Sequence, residues 1–270
     1  MKQTITAIAL LLMLPAAMYA QELFVFTEPA SNMPAKSIGV RLNNWFMQPS
    51  GSSNFSYQFV PEVMWGVNKR LMLHIEGFLG DGSGSFKPEG VGLYAKYRFY
   101  SNDQVYHHFR MATFVRGTTN NSPVNQEELQ TFGMNTGLQG GIIGTQLMHK
   151  TALSSMVYYE QAFDNLQRHE FPAKFSDKAI NYTLSGGQLL LPKKYTGFKQ
   201  TNLNFMVECL GQSLLENGKS FLDIAPAIQF IFNSQARLDI GYRREVYSTM
   251  QRYAPNGFTV RLEYLFFNAL

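Results

Sequence analysis

The chain has one cysteine among its 270 residues. A single thiol, Cys209, cannot close an internal disulfide, so the fold draws its stability from another source. Charge is scarce as well. Asp, Glu, Lys and Arg make up 16%, against about 25% in ordinary soluble domains. The net charge is only +4, and no basic block with interleaved aromatics occurs, which argues against nucleic acid as a partner. Beyond residues 1–20 no apolar run approaches the ~20 residues of a transmembrane helix. The glycine pairs Gly140-Gly141 and Gly186-Gly187 are not followed by Lys-Ser/Thr, so they are not phosphate loops and read as strand bends or close packing.

What the chain does have begins with MKQTITAIALLLMLPAAMYA. Lys2 gives a positive start, Ile5 to Leu14 an apolar core, and Ala16, Ala17 and Ala20 a small-residue exit. This reads as a secretory signal peptide, residues 1–20, cut after Ala20. Residues 21–36 hold two prolines, Pro29 and Pro34, and no sustained period. They read as a periplasmic lead-in with a short apolar knot at Leu23 to Phe26.

From Ser37 to the C-terminus a period of two takes over. The last stretch, GFTVRLEYLFFNAL, puts Phe258, Val260, Leu262, Tyr264 and Phe266 on one face and Thr259, Arg261 and Glu263 on the other. About twelve such segments are visible, many of roughly 9–11 residues, the length a tilted strand needs to cross a bilayer. Strands of soluble proteins cluster near 5–6 residues. The sixth segment is read around FGMNTGLQGGII, with Phe132, Met134, Leu138 and Ile142 on its apolar face. Short turns at 68–70, 101–104, 148–150 and 233–235 alternate with longer polar loops such as DGSGSFKPEG and GTTNNSPVNQEELQ; the connection PKKYTGFKQ is longer than that rule wants. Aromatic residues are 14% and mean hydropathy is −0.15. Trp65, Tyr97, Phe99, Tyr182, Phe232, Tyr264 and Phe266 fall near strand ends, as interfacial girdles do.

With this signal peptide, strand rhythm and terminal FTVRLEYLFF, residues 37–267 resemble the outer-membrane β-barrel proteins of Gram-negative bacteria, in their porin-like class, and residues 37–270 read as the barrel domain. The resemblance implies an all-β, antiparallel up-and-down barrel of about 12 strands, spanning outer-membrane lipid. It also implies that the terminal strand is read by the barrel assembly machinery, although Asn268-Ala269-Leu270 follow the usual aromatic end. The fold-level rival is a soluble β-sandwich.

In the barrel reading the charged residues point inward. The expected lumen-lining set is Arg41, Glu62, His74, Glu76, Lys96, Arg98, His108, Arg110, Glu160, Glu208, Asp239, Arg243, Arg261 and Glu263, joined by Arg116, Asp223, Arg237 and Glu245. Arg261 and Glu263 are placed beside Asp239 and Arg243 on the preceding strand, and beside Arg41 if the first and last strands close. Paired charges of both signs suit either a narrow aqueous path or a filled barrel. The expected function is a passive channel or narrow transporter for small polar solutes. The alternatives are a plugged structural or surface-interaction barrel and an outer-membrane hydrolase or acyltransferase. The enzyme reading lacks a motif: His169-Glu170 has no serine motif beside it, and Ser154 and Ser155 lack diagnostic neighbours. No cofactor is implied. His107 and His108, adjacent on a strand, face opposite sides and cannot share a metal. His74 and Glu76 share a face but supply only two ligands.

Overall fold

The computed structural model describes residues 24–82, 84–194, 197 and 199–270. The expected signal peptide, residues 1–20, lies outside the described residues, as do residues 21–23 of the lead-in.

Alternation with a period of two gives each strand one apolar and one polar face. Strands of that kind, paired antiparallel until the last meets the first, form a barrel with no free edge. The chain does this with twelve strands: β1 (Ser37–Gln48), β2 (Ser56–Gly66), β3 (Leu71–Gly80), β4 (Lys87–Asp103), β5 (His107–Asn120), β6 (Gly137–Met148), β7 (Thr151–Ala162), β8 (Lys178–Leu191), β9 (Asn202–Leu214), β10 (Ser220–Phe232), β11 (Ala236–Ser248) and β12 (Asn256–Phe266). Each pairs antiparallel with its sequence neighbours, and β1 pairs with β12 to close the barrel. The closing register runs from Ile38 opposite Phe266 to Gln48 opposite Asn256 and sets Arg41 against Glu263.

The turns 67–70, 104–106, 149–150 and 233–235 gather at one end, the turn end. The loops 49–55, 81–86, 121–136, 163–177, 215–219 and 249–255 gather at the other, the loop end. The connection 192–201 is long for the turn end, and 215–219 is short for the loop end.

The outward face is apolar around the barrel. Val63, Ile75, Leu93, Val115, Val157, Leu184, Ile228 and Leu262 are all exposed large hydrophobics on successive parts of the wall. An aqueous surface would not carry so continuous an apolar belt; hydrocarbon satisfies it. Trp65, Tyr97, Phe99, Phe232, Tyr264 and Phe266 are exposed towards the turn end of their strands. Near the loop end a run of ring contacts, Phe55 on Phe258, Phe258 on Phe46, Phe46 on Tyr57 and Tyr57 on Phe86, crosses the β12–β1–β2 seam. Tyr182 lies within β8 rather than at its end.

One expected strand is corrected. β6 begins at Gly137, so Phe132 and Met134 belong to the loop 121–136. Phe132 packs its ring against Phe78 of β3, at 5.9 Å between centroids. Phe78 is 1% exposed, so the loop folds into the barrel. Apolar residues packing into a lumen can share the phase of a lipid-facing strand, and periodicity alone does not separate the two.

Residues 24–36 enter from the turn end. Phe24, Val25, Thr27, Ala30, Ser31, Asn32 and Met33 are buried. Met33 and Ala30 join Met64, Met72, Tyr94 and Phe114 in one interior cluster, while Phe24 and Val25 join Ala152, Met206 and Ala227 in another. At the loop end Leu129 of the inward loop packs with Ala162, Ala179, Leu214, Phe221 and Met250.

Candidate functional site

The polar faces of the strands build the interior wall, and the strand registers decide which charges meet. Arg41 lies opposite Glu62 on β2 and Glu263 on β12. Its Nε donates to Glu263 Oε2 at 2.7 Å and its Nη1 reaches Glu62 Oε2 at 3.4 Å. Arg261 lies opposite Asp239 and donates to it at 2.6 Å. Glu263 is met on its other side by Arg237, at 2.7 Å, and not by Arg243 as expected. The register explains this: Arg237 is opposite Glu263, whereas Arg243 is opposite Gly257, nearer the loop end. His74 Nδ1 is 3.1 Å from Glu62, and its ring lies 4.8 Å from that of Tyr94. Glu76 accepts from Arg116 at 3.2 Å.

The segment 24–36 is fastened to this wall by side chains. Glu208 on β9 accepts from the backbone amides of Val25 at 2.8 Å, Phe26 at 3.0 Å and Thr27 at 2.9 Å, and from the Thr27 hydroxyl at 2.7 Å. Arg261 donates to the carbonyls of Phe24 and Val25. Lys96 donates to the carbonyl of Pro29 at 2.9 Å, and the amide of Ala30 donates to Thr145 Oγ1 at 2.8 Å. Arg110 reaches Ser31 Oγ at 3.0 Å. Glu28 takes Arg41 at 2.9 Å and Lys96 at 3.3 Å. Burial raises the Glu28 carboxyl, but Lys96 and Arg41 outweigh it and hold the group well below the usual carboxylate range.

The loop 121–136 is fastened from the other end. Gln212 on β9 pairs with the Leu129 backbone, accepting from its amide and donating to its carbonyl, both at 2.9 Å. Glu160 accepts from the Thr131 amide at 2.8 Å, and from Gln139 and Asn181 on neighbouring strands. Gln58 and Asn120 both donate to the carbonyl of Gly133. Gly133 has φ +109°, a backbone conformation that favours glycine. Glu128 binds Arg252 and Arg243, and Glu127 binds Lys219 at 2.6 Å. Burial raises the Glu128 carboxyl, while the two arginines outweigh burial and hold it at about 2.

Between the two segments lies a cavity of about 170 Å³. Val25 to Glu28 line it from the turn side, and Glu128 to Gln130 with Phe132 from the loop side. Arg41, Arg116, Arg243, Arg261, Glu62 and Glu160 line it from the wall.

Among the residues expected from sequence, Arg41, Glu62, His74, Glu76, Lys96, Glu160, Glu208, Asp239, Arg261 and Glu263 are buried in the interior, and Arg110 and Arg243 are half-buried. Arg98 and His108 stand apart at the turn end, where Arg98 donates to the Lys69 carbonyl and His108 meets Asp103. The residues the sequence reading missed are the occupants: Glu28, Glu127, Glu128 and Arg252. The signal for the three acids was acidic side chains near apolar ones, Phe26 and Leu129, in segments read as connections; Arg252, in the loop 249–255, carried no such signal. Ser154 is held by Thr145 Oγ1 at 2.9 Å within the wall. Glu62, His74 and Glu76 bring three potential ligand atoms within 4.8 Å of one another. However, Arg41 and Arg116 already balance the two carboxylates, so an added cation would meet guanidinium charge.

No protein-family model and no curated protein sequence matches the chain. Solved structures do. An outer-membrane channel from Pseudomonas putida F1 superposes with a TM-score of 0.59 at 14% identity, covering 90% of this chain and 100% of that one. The NanC porin gives 0.49 at 10% identity, covering 83% of this chain and 98% of that one. The KdgM porin gives 0.43 at 12%, covering 84% and 98%. The superposition on the Pseudomonas putida F1 channel, together with the closed antiparallel ladder, shows the fold of an outer-membrane β-barrel.

Proposed function

We propose that the protein is an outer-membrane channel for small polar solutes, closed at rest by residues 24–36 on the periplasmic side and by the loop 121–136 on the outer side. The observation that carries this reading is the manner of fastening. The wall is closed by its own ladder from β1 round to β12. The N-terminal segment is tied to that wall through side chains such as Glu208, Arg261 and Lys96. Withdrawing it costs those contacts and the packing of Phe24, Val25, Ala30 and Met33 but leaves the ladder whole, so the barrel stays folded while the periplasmic side of its lumen opens. The interior left behind carries charged side chains of both signs beside apolar ones such as Met64, Met72 and Phe114, and the charges suit small hydrophilic solutes. In this reading the short turns face the periplasm and the longer loops face outwards, as in outer-membrane barrels, with the assembly machinery and outer-membrane lipid as partners.

A second reading is a permanently filled barrel. Its support is the interlocked group Arg41, Glu28, Glu62 and Glu263, with Arg41 bonded to all three acids. Recordings of the folded mature protein in a planar bilayer separate the two. Opening events whose anion-to-cation preference shifts on Glu263→Ala or Arg261→Ala support the channel. A folded barrel that stays silent in all three forms supports the filled reading.

A further inference from the structure

At the loop end Glu128 is held by two arginines, Arg252 and Arg243. Arg252 grips it with two nitrogens, Nε at 2.8 Å from Oε2 and Nη2 at 3.2 Å from Oε1. Arg243 adds Nη2 at 2.7 Å from Oε1. Both guanidinium groups are positioned by other residues. Asp223 on β10 accepts from Arg252 Nη1 and Nη2, each at 2.7 Å, and from Arg243 Nε. The Phe221 ring lies under Arg252 at 3.8 Å and beside Arg243 at 5.4 Å. Glu245 takes Arg252 Nη1 at 3.1 Å. With the arginines oriented in this way, little further ordering is needed when an anion binds, and the planar fork of arginine matches a carboxylate.

We propose that this arginine pair is a binding site for the carboxylate group of a small solute, and that Glu128 occupies it as an internal stand-in. Two further observations support the assignment. Asp223, Phe221 and Arg243 belong to strands β10 and β11, so that part of the site persists when the loop 121–136 moves. Glu128, Arg243 and Phe221 also line the interior cavity, which gives the body of the solute a place beside its carboxylate. A solute that takes the site displaces Glu128 and frees the loop. The assignment rests on the channel reading only for the route by which the solute arrives.

The test is equilibrium binding of succinate to the detergent-solubilised full-length mature protein by titration calorimetry, with heat-modifiable migration confirming folding. Glu128→Ala vacates the site and is expected to bind succinate at least about tenfold tighter than the unmodified protein, the equivalent of one charge-assisted hydrogen bond. Adding Arg252→Lys, which keeps the charge and removes the fork, is expected to reverse that gain. Neutral succinamide is expected not to bind. The proposal is overturned if Glu128→Ala binds no tighter than the unmodified protein, if Arg252→Lys leaves the gain intact, or if inorganic phosphate binds as tightly as succinate. The measurement needs no conduction. Binding by a barrel silent in bilayers keeps the site and removes the channel; conduction without binding does the reverse.

Discussion

Glu208→Ala isolates the fastening of the N-terminal segment. The Glu208 side chain accepts from the backbone amides of Val25, Phe26 and Thr27 and from the Thr27 hydroxyl. The hydroxyl keeps a second partner, Ser185 Oγ at 3.0 Å, so it is left out of the estimate. Each buried amide that loses its acceptor costs about 1–3 kcal/mol. Three of them make about 3 kcal/mol at the least, which lowers the docked-to-undocked ratio of the segment roughly a hundredfold. The ladder partner of Glu208 on β10 is Ala225, and its backbone pairing is untouched by the substitution. Amide exchange followed by mass spectrometry is the assay. Peptides covering residues 24–33 are expected to exchange about a hundred times faster in the variant, with peptides from β9 and β10 unchanged. If residues 24–33 exchange at the same rate in both proteins, the segment is not held by this carboxylate and the reasoning fails. Equal acceleration throughout β8, β9 and β10 would instead mean that Glu208 supports the wall itself.

Other outcomes follow from the same contacts. Gly241→Ala places a Cβ 2.8 Å from the Phe26 ring, and the overpacking of about 1–3 kcal/mol is expected to raise opening frequency in bilayers without lowering the midpoint of heat modification. Arg41→Ala leaves Glu28, Glu62 and Glu263 without their shared cation; a loss of about 3–5 kcal/mol is expected as a lower midpoint. The Glu128 carboxyl is ordinarily near 4.5 and sits at about 2 in the folded protein. Because the folded value is the lower one, its contribution to loop docking is complete above about pH 4.5 and is lost as pH falls towards 2. Opening frequency is therefore expected to rise over that window, and Glu128→Gln to flatten the part that this carboxylate contributes. Glu28 is lowered in the same sense, so some acid opening persists in that variant.

The wall was legible because a barrel strand writes its two faces into the sequence directly. Phe258 to Phe266 alternate with Thr259, Arg261 and Glu263, and β12 carries the apolar set outward and the polar set inward. The meeting of Arg41 and Glu263 could be anticipated because both lie on the polar faces of the first and last strands, which pair when the barrel closes. Partner identity was less legible. Whether Glu263 meets Arg237 or Arg243 depends on a register that alternation does not specify, since every shift by two residues preserves the faces. The contents of the lumen were not legible. Phe24 to Met33 and Leu129 to Asn135 have no repeat, because their contacts are made one at a time with whatever wall residue lies opposite. Phe132 and Met134 even mimicked a strand.

Gating requires the N-terminal segment to move within a barrel that remains closed on itself, and a reversible lock tests that most directly. Thr27 Oγ1 and Ser185 Oγ lie 3.0 Å apart, one on the segment and one on β8. Thr27→Cys with Ser185→Cys, in a Cys209→Ser background, places two thiols where a disulfide can form. Single-channel recording of this protein, oxidised and then reduced in the same bilayer, is expected to give no openings while the lock is closed and openings once it is reduced. Identical records in the two states would contradict the claim.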